Sequence, residues 1–138
     1  MADRDFSRPL ATMGRNRIQV NFSFYTNGTS NPNTRLFQGN ADFVSTILQV
    51  GTGAYQVTAS ARDCYNLVVG AKATMEDSGA GTQQEATIGG FQNEGTSSPL
   101  KFNVYTYAYP NNVSNITNTR VWVELILRNT ASVGAGDP

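Results

Sequence analysis

The chain contains no histidine and a single cysteine. Without histidine it lacks the side chain that most often acts as a general base near neutral pH, and the commonest nitrogen ligand for a metal. Cys64 cannot close an internal disulfide, and with no histidine to take its proton it reads as a space-filling thiol rather than a nucleophile. Charge is sparse: 10 Lys and Arg balance 10 Asp and Glu, and charged residues make up 14% of the chain, against about 25% in an average domain. This balance gives no electrostatic reason to expect nucleic acid or an anionic membrane as a partner, and Lys72 and Lys101 form no basic cluster. No apolar run approaches the roughly 20 residues that span a bilayer. The N-terminal residues 1–9 have no apolar signal-peptide core, so the expected route is cytosolic synthesis without export by the usual signal. No stretch repeats apolar residues at helical spacing, and no fixed-period repeat is evident.

Polarity comes instead from Asn, Thr, Ser, Gln and Gly, which give a neutral surface rich in hydrogen-bonding groups and poor in helix formers. Four Asn-x-Ser/Thr triplets, at Asn21, Asn27, Asn112 and Asn115, are the chance yield of such a composition. A chain of 138 residues is long enough to bury its own core as one domain.

The stretch that organises the chain runs over residues 42–60. Two β-prone segments flank Gly51-Thr52-Gly53, where glycine can take a positive φ without a Cβ clash and reverse the chain. Beyond the corner, Tyr55, Val57 and Ala59 share one face while Gln56, Thr58 and Ser60 share the other, the period of a strand with a dry and a wet side. The same alternation puts Ile18, Val20, Phe22 and Phe24 on one face of a strand over 16–25, and Leu100, Phe102 and Val104 inward on a strand over 100–107. A strand over 66–75 carries Gly70, which marks a bulge or a close backbone contact. Residues 85–91 read as a weak edge strand, and Leu36-Phe37 as a short strand or a plug against the core. On the last strand, 119–128, Val121, Val123, Leu125 and Leu127 face one way and Trp122 and Ile126 the other, so it should be central or covered by a partner. About seven or eight strands at intervals of roughly 10–18 residues predict an all-β fold, a two-sheet antiparallel β-sandwich of jelly-roll-like character. The predicted organisation is an extended N-terminal arm over 1–15, one sandwich domain over 16–130 and a flexible tail over 131–138.

Motifs that carry chemistry are scarce. Glu76-Asp77 lies in a Gly-rich loop without the regular oxygen spacing of a calcium loop, and reads as solvated. Asp42, Asp63 and Glu124 would suit glycoside cleavage only if they converged in space, and no local motif supports that. Gly51-Thr52-Gly53 opens no helix and is therefore no phosphate loop. These residues call for no catalytic group, cofactor or metal, and the expectation is a protein that is not an enzyme. Tyr105, Tyr107 and Tyr109 recur on the outward face of one strand and Trp122 on that of another. They suit cover for a second sheet, anchors of a subunit interface, or a platform on which sugars stack.

The motifs follow one order along the chain: a short arginine-bearing arm, an alternating strand, Gly51-Thr52-Gly53-Ala54-Tyr55-Gln56-Val57-Thr58, then Leu67-Val68-Val69-Gly70-Ala71-Lys72-Ala73, a Gly-rich loop, and Val121-Trp122-Val123-Glu124-Leu125-Ile126-Leu127-Arg128-Asn129. It resembles the small virion structural proteins of tailed bacteriophages, of the marine and cyanobacterial podophage type. The resemblance covers most of residues 42–129 and, more loosely, the arm. It implies a β-sandwich subunit, often a homotrimer, placed on the virion, with no catalysis and no catalytic residues. The expectation is a capsid decoration, or cement, protein on the capsid surface, whose partners are the major capsid protein and copies of itself. Arg4, Phe6, Arg8, Leu10, Tyr105, Tyr107 and Trp122 are the candidate contact residues. A head or tail fibre tip is the alternative within that class. A carbohydrate-binding module stacking sugars on Tyr105, Tyr107, Tyr109 and Trp122 is the alternative outside it.

Overall fold

A computed structural model describes residues 11–12, 17–60, 65–76, 83–96, 98–108 and 116–129. The strands are β1 (Ala11–Thr12), β2 (Arg17–Asn27), β3 (Gln38–Gly39), β4 (Val44–Gly51), β5 (Ala54–Ala59), β6 (Tyr65–Met75), β7 (Gln84–Gln92), β8 (Lys101–Ala108) and β9 (Thr117–Asn129). Single 3-10 turns at Thr34–Leu36 and Ala41–Phe43 are the only helical backbone among the described residues. The first sheet has the order β1-β2-β9-β6, with β3 also laid on β2; the second has the order β4-β5-β8-β7. Every pairing is antiparallel. The fold is the two-sheet antiparallel β-sandwich that the alternation predicts.

The reason lies in which residues face each other. Across β2 and β9 the register sets Ile18 against Leu127, Val20 against Leu125, Phe22 against Val123 and Phe24 against Val121. All eight are buried. From the second sheet Ile47, Tyr55, Val57, Phe102 and Val104 meet them in one continuous core. The Phe24 and Tyr55 rings pack across the two sheets at 5.6 Å and 59°. Each such side chain withdrawn from water stabilises the sandwich by about 1.5–3 kcal/mol before entropy is counted. β9 is central in its sheet, between β2 and β6; Val121, Val123, Leu125 and Leu127 on its inner face are buried, while Trp122 on its outer face is exposed.

The long sides of the sandwich are closed by side chains that stand in for missing strands. Where β6 runs beside β7, the Val68 N–H donates to Glu94 Oε1 at 2.9 Å. On the opposite side the Gln49 N–H donates to Asn31 Oδ1 at 2.8 Å. Near β3, the Asn21 N–H donates to Asn40 Oδ1 at 2.6 Å while the Asn40 N–H donates to the Asn21 carbonyl at 2.7 Å. Gly39 permits this close approach: its φ is +79°, and a Cβ there would sit 2.5 Å from the Asn21 carbonyl oxygen.

Several local expectations hold. The corner of the organising hairpin is Thr52-Gly53, with Gly53 at φ +62°. The ladder between β6 and β9 slips between Val68 and Gly70, the bulge that Gly70 signalled, and leaves Val69 exposed. β7 is an edge strand. Leu36 belongs to a 3-10 turn and is exposed, whereas Phe37 packs on the core, so the plug is Phe37 alone.

Candidate functional site

The sandwich offers two outer faces, and the candidate residues divide between them. Along β8, Phe102, Val104 and Thr106 point into the core, which turns Lys101, Asn103, Tyr105 and Tyr107 outward on the second sheet. Tyr105 lies between Ala54 and Thr87, Asn103 between Gln56 and Gly89, and Tyr107 beside Glu85. Asn103 Nδ2 donates to the Tyr105 hydroxyl at 3.1 Å. This face is a row of amides, hydroxyls and half-buried tyrosines.

Trp122 lies on the outer face of the other sheet. Its neighbours on β9, Val121 and Val123, are buried, so period two turns Trp122, Glu124 and Ile126 away from the core. Cross-strand register then sets Ser23 and Thr74 on either side of Trp122, and Asn21 and Lys72 on either side of Glu124. Gln38 and Gly39 of β3 add a wall, and the whole encloses a groove of about 410 Å³. Trp122 is 41% exposed.

The groove is held by a polar network. Gln19 Nε2 donates to Glu124 Oε2 at 2.7 Å and lies 3.3 Å from Asn21 Oδ1. Arg120 Nη2 donates to Gln38 Oε1 at 2.6 Å, and its guanidinium carbon sits 5.1 Å from the Tyr25 ring centre and 5.5 Å from that of Trp122. A cation so placed is attracted to both rings and fixes the indole from one side. The Arg120 backbone is itself anchored, its N–H donating to Glu76 Oε1 at 3.1 Å and its carbonyl accepting from the Glu76 N–H at 3.1 Å. One oxygen of the Glu76 carboxylate is therefore engaged in the sheet rather than freely solvated, which corrects the reading of Glu76 as part of a solvated loop.

A single platform of Tyr105, Tyr107, Tyr109 and Trp122 does not form. Tyr105 and Tyr107 lie on one outer face and Trp122 on the opposite one, because β8 and β9 belong to different sheets. Tyr109, Arg4, Phe6, Arg8, Leu10, Asp63, Cys64 and Asp77 lie outside the described residues. Asp42 is exposed in the turn before β4 and does not line the groove that holds Glu124. Among the described residues no three Cys, Asp or Glu side chains gather as metal ligands, and no helix is long and apolar enough to cross a membrane. Nothing in the sequence signals that the groove residues Asn21, Lys72 and Gln38, or Arg120 beside them, belong together. They come from four strands, and no local motif joins them.

No protein-family model matches the chain, and neither the curated proteins nor the solved structures searched give a significant match to it.

Proposed function

We propose that this chain is a non-catalytic structural protein of a tailed-phage virion, acting as a decoration protein that clamps neighbouring capsid subunits. The observation that carries the reading is the placement of β1. Ala11 pairs with Gln19 and Thr12 with Ile18, so the base of the N-terminal segment is tied to the edge of a rigid sheet. A segment launched from a fixed point reaches a neighbour at a higher effective concentration than one on a loose tether. Arg4, Phe6, Arg8 and Leu10 supply the charged and apolar anchors of that segment. The amide, hydroxyl and tyrosine face around Asn103, Tyr105 and Tyr107 suits a broad, wet subunit contact, for which tyrosine is favoured and dense charge is not. The phage assignment itself rests on the order of motifs resembling small virion proteins.

The test is attachment. Full-length protein is expected to bind purified capsid shells and to form a homotrimer by native mass spectrometry, and removal of residues 1–10 is expected to abolish shell binding while leaving the sandwich folded. Equal attachment of the truncated and full-length proteins would refute the role of the arm.

A further inference from the structure

We propose that the groove on the outer face of the first sheet is a saccharide-binding site for one neutral hexopyranose unit, whether free or at the end of a glycan. This site is independent of the arm and of the tyrosine face, and it does not rest on the virion assignment. Four observations lead to it.

The groove has a shape suited to a small ligand. Its volume of about 410 Å³ lies in the range of about 300–1,000 Å³ typical of small-molecule sites. It is floored by three paired strands, β2, β9 and β6, and is therefore a preformed surface rather than a loop pocket.

An aromatic ring lies in the floor. Trp122 is the only tryptophan of the chain and is 41% exposed on the outer face of its sheet. Arg120 holds it from one side at 5.5 Å, while the indole also borders the groove. An apolar face of C–H groups, such as a pyranose presents, packs on such a ring.

Polar groups of both signs lie at one level in the cross-strand row next to that ring. Glu124 and Lys72 are direct cross-strand partners, yet no ion pair joins them among the described residues. The Glu124 carboxylate accepts one bond, from Gln19, and retains further lone pairs. The Lys72 ammonium is exposed and carries three donors. Adjacent hydroxyls of a sugar match that pair: one donates to the carboxylate and the other accepts from the ammonium. Asn21, on the far side of Glu124, adds an amide at the same level.

Finally, the two opposite charges beside the ring select a neutral polar ligand. A carboxylate ligand would be repelled by Glu124 as much as it is drawn to Lys72, and an ammonium ligand the reverse, so neither ion gains from the pair. A purely apolar ligand would strip water from both without replacing their hydrogen bonds.

The chain carries its own reporter, since Trp122 is its sole tryptophan. The experiment titrates the full-length protein with the methyl glycosides of glucose, galactose, mannose and N-acetylglucosamine, and reads Trp122 fluorescence up to about 10 mM, a range that captures millimolar affinities. The expected result is a saturable change with at least one of these sugars. Lys72→Ala and Glu124→Ala are each expected to weaken that binding by roughly tenfold, the loss typical of one charged hydrogen-bonding partner. Lys72 is exposed, so Lys72→Ala is expected to retain the urea midpoint of the parent, which separates loss of binding from loss of fold. A flat signal with all four sugars would overturn the proposal. So would binding that both variants leave unchanged, because the sugar would then sit elsewhere. A fluorescence change that follows protein concentration and not sugar would also overturn it, by showing that a second copy covers the groove.

Discussion

Tyr55 offers a sharp test of how the core is built. Its ring is fully buried against Phe24, across the gap between the sheets. Its hydroxyl is buried with no hydrogen-bond partner. Burial raises its pKa above the ordinary 10.0, and contact with the Asn27 backbone opposes this only in part, without reaching hydrogen-bond geometry. A buried hydroxyl without a partner costs about 1–3 kcal/mol. Tyr55→Phe keeps the ring contacts and removes that cost, while leaving a void no larger than one oxygen. The expected gain is about 1 kcal/mol, or about 3–4 °C in Tm for a chain of this size. Urea denaturation at pH 7 should show a higher midpoint with an unchanged slope.

The pH dependence gives the second arm of the test. Tyr55 keeps its proton more tightly when folded than when unfolded. Its contribution is therefore fully present below pH 10 and is lost as pH rises from there through the folded pKa. The advantage of Tyr55→Phe over the parent should widen above pH 10, with the other five tyrosines cancelling in the comparison. A variant less stable than the parent by about 1 kcal/mol or more would show that the hydroxyl has a partner. Parallel loss of stability above pH 10 would show that Tyr55 is not the titrating group.

Substitutions at three further positions probe the seams and the core. Gly39→Ala combines a φ of +79° with a Cβ placed 2.5 Å from the Asn21 carbonyl, and should cost about 2–3 kcal/mol in urea denaturation, with faster hydrogen exchange at the Asn21 and Asn40 amides. Asn40→Ala removes the acceptor of the Asn21 N–H, and should cost about 1–3 kcal/mol; Asn40→Asp, which retains the acceptor, should recover most of it. Leu125→Ala opens a cavity at the middle of β9 and should cost about 2–5 kcal/mol, the largest of the three, with the midpoint again the readout.

Much of the fold is local information. Whether Val20, Val57, Phe102 or Val123 turns inward is set by the two-residue pleat of a strand, so their alternation announced the core faces before any pairing was known. Gly53 and Gly70 were legible for a similar reason: a positive φ and a bulge are properties of a few consecutive residues. The dry side of β5, with Tyr55, Val57 and Ala59 buried, followed from the same pleat.

Partnership between strands is another matter. Gln19 meets Glu124 across 105 positions of sequence, and Arg120 meets Gln38 across 82. Only the sheet order brings Asn21, Glu124 and Lys72 to one level, and only the assignment of β8 and β9 to different sheets parts Tyr105 and Tyr107 from Trp122. The outward direction of each aromatic residue is written in its own strand. Which face of the molecule that direction reaches depends on hydrogen bonds between distant segments, and these exist only once the two sheets have closed on their shared core.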